Sequence, residues 1–279
     1  MKRPTRAQVS IAFTLTILLP IAASSVSADD TEALIDRALK VSGLRSQMEN
    51  FGPAFLSTIP MDFFPDPRIR NEVSSLVRTF EARQSPLSII RDAIREDFRE
   101  DKIKEVITFY GSGVGLKVGR LTGSALAPEV LAEIQESRAM QTTLGDARRS
   151  LLERIAAAEK VSEFSPRLLR AAVRGLVKSY LELHMENQAA IKEIQAKLAA
   201  LETEIQAGAD RTGETALVAF AYTFRSLKDD ELEQLAVYHE SDAGTWFTNA
   251  VMDGMERAVF RTAVGLGEIL TRERQHSSK

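Results

Sequence analysis

Along most of this chain apolar residues recur at intervals of three and four, and strand-like alternation is scarce. Ile69, Val73, Leu76, Val77 and Phe80 follow that spacing in one segment, and Ile90 and Ile94 continue it in the next. One face of a helix returns every 3.6 residues, so this spacing predicts helices whose apolar stripes face a common core. Proline supplies the punctuation. Ser85-Pro86, Ser165-Pro166 and Asp66-Pro67 each read as an N-cap followed by proline at the first helical position, where its missing N–H costs nothing. The expectation is an all-α chain of nine or ten helices.

The first 28 residues are set apart from that core. Lys2, Arg3 and Arg6 precede an uncharged apolar run, and Val26 and Ala28 occupy the small-residue positions before a cut at Asp29. This is the layout of a cleavable export signal, which predicts a periplasmic or secreted protein starting at Asp29. Removing those three cations from the 36 basic residues leaves 33 against 39 acidic ones, a net charge of −6. Such a balance predicts no general affinity for nucleic acid. There is no cysteine, hence no disulfide and no lipid attachment at the cut. After the signal no apolar run reaches the roughly 20 residues of a membrane span. The mature chain is expected to be soluble, without stable membrane insertion.

The middle of the chain carries a longer pattern. Val173, Val177, Tyr180, His184, Asn187, Ile191, Ile194, Leu198, Leu201 and Ile205 step by four and three, as in a coiled-coil seam. Upstream, residues 130 to 158 keep a looser version, and "KVSEFSP" between the two reads as a turn. The pattern predicts a long antiparallel helix pair, with Ile155 near Ala171 and Val130 near Ala196. The overhang Leu198–Ile205 would offer a seam for self-association. The expected organisation is a signal at 1–28, a first helical module at 29–127, the helix pair at 128–207 and a second module at 208–279.

One phrase is written twice. Laying Asp101 on Asp230 aligns Ile103 with Leu232, Val106 with Leu235, Phe109 with Tyr238, Ser112 with Ser241 and Gly115 with Gly244. Each shared letter has a mechanical reading. Asp101 and Asp230 stand where a helix needs an N-cap acceptor. Ser112 and Ser241 can end that helix and cap the next. Gly115 and Gly244 fall in the first turn of the second helix, where glycine sacrifices up to about 1 kcal/mol against alanine. Close approach of the preceding helix, with Tyr110 or Tyr238 over the bare backbone, would offset that loss. The phrase thus predicts a tight helix–helix corner in two copies. "ALIDRALKVSG" and "SLLERIAAAEK" are a looser echo, which extends the repeat toward whole modules.

"FYGSGVG" and "VYHESDAG", each behind an acidic, apolar-periodic helix, resemble the family known as domain of unknown function 2059. Its hallmark is an aromatic pair, then Ser, then Gly three residues on, after an acidic helix start. The second copy is the closer match; the first has Lys102-Ile103 at that start and extra glycines. The resemblance implies an exported bacterial all-α protein and no particular activity.

Motifs for chemistry are sparse. Gly113, Gly115 and Gly119 miss the dinucleotide-loop spacing by one residue. Gly111, Gly115, Gly119 and Gly123 instead recur every four residues, which lets another helix come close. His184, His239 and His276 are scattered and form no ligand pair, so no metal or other cofactor is expected. Trp246 reads as core. The stretch Phe51–Pro67, with four Phe, one Met and four Pro, has no helical period. Phe55, Met61, Phe63 and Phe64 either form an exposed patch for a partner or plug the first module's core. These features predict a non-catalytic envelope binding or scaffold protein, engaging an unknown protein partner or itself. Two other readings stay open: an envelope hydrolase using dispersed carboxylates such as Glu100, Asp101, Asp229 and Asp230, and transient lipid binding through the Phe51–Pro67 loop, with Phe63 and Phe64 as the residues to replace in a test.

Overall fold

A computed structural model gives the fold and describes residues 27–58, 75, 77, 85–136, 144–183, 192, 196, 199, 200, 202, 203 and 214–277. Among these residues every regular element is an α-helix. In chain order they are α1 (Ala28–Val41), α2 (Leu44–Met48), α3 (Phe51–Thr58), α4 (Pro86–Glu96), α5 (Glu100–Tyr110) and α6 (Gly113–Ser124). Then follow α7 (Pro128–Glu136), α8 (Asp146–Ala158), α9 (Val161–Leu183), α10 (Asp229–Glu240) and α11 (Asp242–Ser277). Residues 214–223 are also helical.

Local chemistry accounts for several boundaries. The Ser27 hydroxyl accepts the Asp30 N–H (3.1 Å) and starts α1. Asp29 and Asp30 in its first turn complement the helix dipole. Ser85 and Pro86 open α4 as the sequence predicts, although the Ser85 side chain makes no cap bond. Ser165-Pro166 does not open a helix. Glu159 and Lys160 make a two-residue turn, α9 begins at Val161, and Pro166 lies inside it. Lys160 takes φ 51°, and that left-handed residue lets α9 restart sooner than "KVSEFSP" suggested.

One continuous apolar core joins both halves of the chain, from Ile35 and Leu39 on α1 to Ala263 and Leu266 on α11. α1 packs on α5, α8 on α10, α4 on α11 and α9 on α11. α11 is the hub, and small residues let its neighbours close in. A Cβ on Gly254 would lie 2.6 Å from the Ile90 Cα of α4. A Cβ on Gly175 of α9 would meet Phe260 O at 2.5 Å, and one on Gly267 would meet Ser179 Cβ at 2.5 Å. The Ser179 hydroxyl donates to Val264 O at 2.7 Å, so the polar group in this contact is satisfied.

This arrangement departs from the expected long helix pair. In the described residues α9 finds its principal partner in α11 and α8 in α10, while α8 and α9 make only a small contact. The small residues Gly175 and Ser179 mark the interface, which a pattern of large apolar seam residues does not reveal. Nor are Arg170 and Glu202, both among the described residues, held a helix-length apart. Arg170 bonds Glu202 at 2.7 Å, whereas 32 residues of unbroken helix would separate them by about 48 Å. Ala196, expected against Val130, is exposed. His184, Asn187, Ile191, Ile194, Leu198, Leu201, Ile205 and Asp66-Pro67 lie outside the described residues.

The start of the Phe-rich stretch is helical after all, as α3. Phe51 and Phe55 are buried, at 2% and 3% exposure, with their rings stacked at 6.0 Å. Phe55 thus belongs to the core and not to a partner patch. Pro53, at the third position of α3, sits in the first turn where its missing N–H is tolerated, so it did not break the helix. Met61, Phe63 and Phe64 lie outside the described residues.

Candidate functional site

The doubled phrase folds into two corners of matching geometry. In the first, α5 ends at Tyr110, and the Ser112 hydroxyl accepts the Gly115 N–H at 3.0 Å to cap α6. In the second, α10 ends at Glu240, and the Ser241 hydroxyl accepts the Gly244 N–H at 3.1 Å to cap α11. The Ser112 N–H donates to Phe109 O at 2.9 Å, and the Ser241 N–H to Tyr238 O at 3.0 Å. A Cβ on Gly115 would stand 2.0 Å from Phe109 O, and one on Gly244 2.0 Å from Tyr238 O. No side chain fits in that space. What lies across each glycine is the preceding main chain at the aligned position, Phe109 or Tyr238, and not an aromatic ring.

Asp101 and Asp230 do not serve as N-caps. The caps are Arg99 and Lys228, which puts each Asp at the second helical position. There the carboxylates stabilise the helix start through the dipole. In the second copy Glu231 supplies the reciprocal bond, accepting the Lys228 N–H at 2.9 Å. The aligned residue in the first copy is Lys102, which has no oxygen to offer. Gly111 likewise lies outside the glycine stripe, as the C-cap of α5. The stripe proper is Gly115, Gly119 and Gly123. A Cβ on Gly119 would meet Val41 O at 2.2 Å, and Gly43 (φ 83°) would meet Gly119 O at 2.0 Å. The end of α1 and the start of α2 thus rest on α6.

The two corners also pack on each other. Phe109 and Tyr238, the aligned aromatic pair, stack with centroids 3.8 Å apart and planes 1° from parallel. Tyr110 meets the Tyr238 ring edge-on at 5.4 Å. Ion pairs cross the joint in both senses. Lys117 of α6 binds Glu231 of α10, and Lys102 of α5 approaches Asp242 of α11 at 3.6 Å. Lys117, followed by the Lys228 N–H, holds the Glu231 carboxyl below its ordinary value. Contact of α5 with α11 is thus matched by contact of α6 with α10, the reciprocity of an isologous interface.

Around this joint sits a polar cluster that sequence reading did not assemble. His239 Nε2 lies 3.1 Å from Glu159 Oε1, in the turn between α8 and α9. Burial pushes the Glu159 carboxyl up to about 7 and the His239 imidazole down to about 4, each toward its neutral form. Tyr110 and Tyr238 are driven well above the ordinary phenol range by burial, and facing Glu159 adds to the rise. His239 Nδ1 and Tyr238 Oη are buried and find no hydrogen-bond partner among the described residues. Glu159 stands 80 residues before His239 in the chain, and no motif links them; only the fold reveals the pair.

Trp246 is core, as expected, with a polar tether besides. Its Nε1–H donates to Asp97 O at 3.0 Å and Oδ2 at 3.2 Å, pinning the α4–α5 junction to α11. A cleft of about 380 Å³ lies between α4 and α11, lined by Ile89, Asp92, Arg95, Glu96, Arg257 and Arg261. Arg257 pairs with Glu96 and Arg95 with Glu32, so its charges are largely balanced. Among the described residues no three His, Cys, Asp or Glu side chains gather to hold a metal ion. No helix there is long and apolar enough to cross a membrane. Comparison with family models, curated proteins and solved structures finds no match to this chain.

Proposed function

We propose that this chain is an exported, non-catalytic helical binding or scaffold protein of the bacterial envelope, built from two related modules. One observation carries the reading: each motif residue of the double corner is committed to holding helices together. The Ser112 and Ser241 hydroxyls cap helices, Gly115 and Gly244 make room for main chain, and Phe109 and Tyr238 face each other. Side chains used in this way favour a structural role for the corners over a reactive one.

The carboxylates of the hydrolase reading are occupied in the same manner. Glu100 pairs with Lys104 at 2.5 Å and Asp229 with Arg148 at 2.6 Å, while Asp101 and Asp230 sit in helix first turns. Support for two modules extends beyond the corners. In the looser echo Ile35 aligns with Leu152 and Ala38 with Ile155, and all four are fully buried. Gly43 aligns with Lys160, and these two share the left-handed backbone. Likeness to the domain of unknown function 2059 family rests on the same two corners.

Export rests on the N-terminal residues. A cut between Ala28 and Asp29 would remove Ser27, the cap of α1, and start the mature chain with two first-turn acids. The partner is an envelope protein or a second copy of this chain. Crosslinking in the native envelope followed by affinity capture tests this: specific, reproducible partners, or a crosslinked dimer, are the expected result. Recovery of the monomer alone would overturn the binding role, and a mature form that still begins at Met1 would overturn the address.

A further inference from the structure

We infer that Glu159 and His239 form a proton-sharing joint, which keeps the grip of the α8–α9 turn on the second corner constant through the mildly acidic range. Losing either residue alone would make that grip depend on pH.

The geometry carries this. The two side chains meet through one hydrogen bond, Nε2 to Oε1 at 3.1 Å, and the imidazole is 7% exposed. An imidazolium has two N–H donors, and Nδ1 has no acceptor here, so charging the ring would bury an unpaired donor. Nor, among the described residues, does a free cation compensate the carboxylate. Arg154, on the last turns of α8, is committed to Glu233 and Glu240. Lys160 donates to Asn249 of α11 at 2.9 Å. α5 contributes the neutral phenol of Tyr110 and, toward Tyr238, the carboxylate of Glu105, which does not favour a second negative charge. Glu163 of α9 and Asp242 of α11 are exposed, and Asp242 faces Lys102. A neutral carboxyl bonded to a neutral imidazole satisfies this surrounding best.

Burial shifts the two groups in opposite directions, and the consequences for stability oppose each other. His239 titrates lower in the folded chain (about 4) than free histidine does (6.5), so its contribution weakens folding as pH falls through that window. Glu159 titrates higher when folded (about 7) than an ordinary carboxyl (4.5), so its contribution weakens folding as pH rises through that window. Where the windows overlap, folding moves one proton from imidazole to carboxyl and changes the number bound very little. The pair, and not either residue, sets the behaviour.

Urea unfolding midpoints across the overlap, in the full chain, test the joint. Relative to wild type, Glu159→Gln is expected to lose midpoint as pH falls, and His239→Gln as pH rises. The double variant should run parallel to wild type. Single variants that also run parallel to wild type overturn the inference. Should either single variant fail to fold, a chain carrying His184→Gln and His276→Gln leaves His239 as the one histidine for NMR. Its ring signal is expected to hold still as pH drops through the free-histidine value, and titration at that value overturns the inference.

Discussion

Phe109 and Tyr238, 129 positions apart and equivalent in the repeat, lie face to face at 3.8 Å with their planes 1° from parallel. Their contact is where the two corners become one structure. Tyr238 is buried, while Phe109 is half-buried.

The stack should show as coupling. Tyr238→Ala is expected to cost about 3–5 kcal/mol, and Phe109→Ala less. In a double-mutant cycle the pair should retain a coupling of about 0.5–1.5 kcal/mol beyond simple area loss. Chemical denaturation followed by circular dichroism measures all four corners of the cycle, and strict additivity would mean the rings merely coincide.

Alanine in place of glycine should help at one position of α6 and harm two positions later. Nothing lies within 4 Å of a Cβ on Gly113, so Gly113→Ala should stabilise by up to about 1 kcal/mol through helix propensity. Gly115→Ala and Gly244→Ala place a methyl 2.0 Å from a carbonyl oxygen and should cost about 1–3 kcal/mol or more despite the same propensity gain. Thermal unfolding of the three variants side by side is the measurement.

The aligned left-handed residues predict opposite responses. Gly43→Ala forces a side chain into φ 83° and against Gly119 O, so it should destabilise by more than the roughly 1–2 kcal/mol of left-handed strain. Lys160→Gly relieves such strain at φ 51° and gives up only the Asn249 bond and some unfolded-state entropy. It is expected to be neutral or to stabilise by up to about 1 kcal/mol, again by denaturation.

Arg148 is expected to act as a latch. Its guanidinium donates to Phe224 O (2.9 Å) and Leu227 O (3.0 Å), the carbonyls that follow helical residues 214–223, and to Asp229 (2.6 Å). Arg148→Met keeps much of the side-chain bulk and removes these bonds, each worth about 1.5–3 kcal/mol to a charged donor before solvent exposure discounts it. Amide exchange should accelerate locally across residues 217–230 while α1 stays protected.

Acid should act through Glu231. Lys117 and the Lys228 N–H favour its charged form, so its contribution is present above its ordinary value of 4.5 and is lost as pH falls below it. Glu231→Gln should lower stability at neutral pH and flatten the acid limb of the pH–stability profile. An acid limb as steep as wild type would assign the loss to other carboxylates.

The corners were legible because their logic is local. A serine three residues before a glycine, behind an apolar stripe, specifies a cap and a close approach within seven residues, and periodicity alone gives helices. Pairing was harder. The stepping pattern at Val173 and Val177 suggested a large-residue seam, but Gly175 and Ser179 set the contact with α11, and shape complementarity between small residues leaves little trace in hydropathy. Asp101 and Asp230 looked like caps because aspartate favours both the cap and the first turn, and only the backbone angles separate the two. Phe55 looked available because prolines surround it, yet α3 carries it inward. Glu159 and His239 meet across the fold, and sequence distance conceals such a meeting.

If two identical chains met at their corners about an axis, the residue nearest that axis would necessarily confront itself. Here one polypeptide carries both sides, so that obligation is lifted. Phe109 stands opposite Tyr238, and Lys102 occupies the position aligned with Glu231, each free to differ from its counterpart. A substitution in one corner therefore leaves the aligned position of the other unaltered, and the joint can be asymmetric without strain.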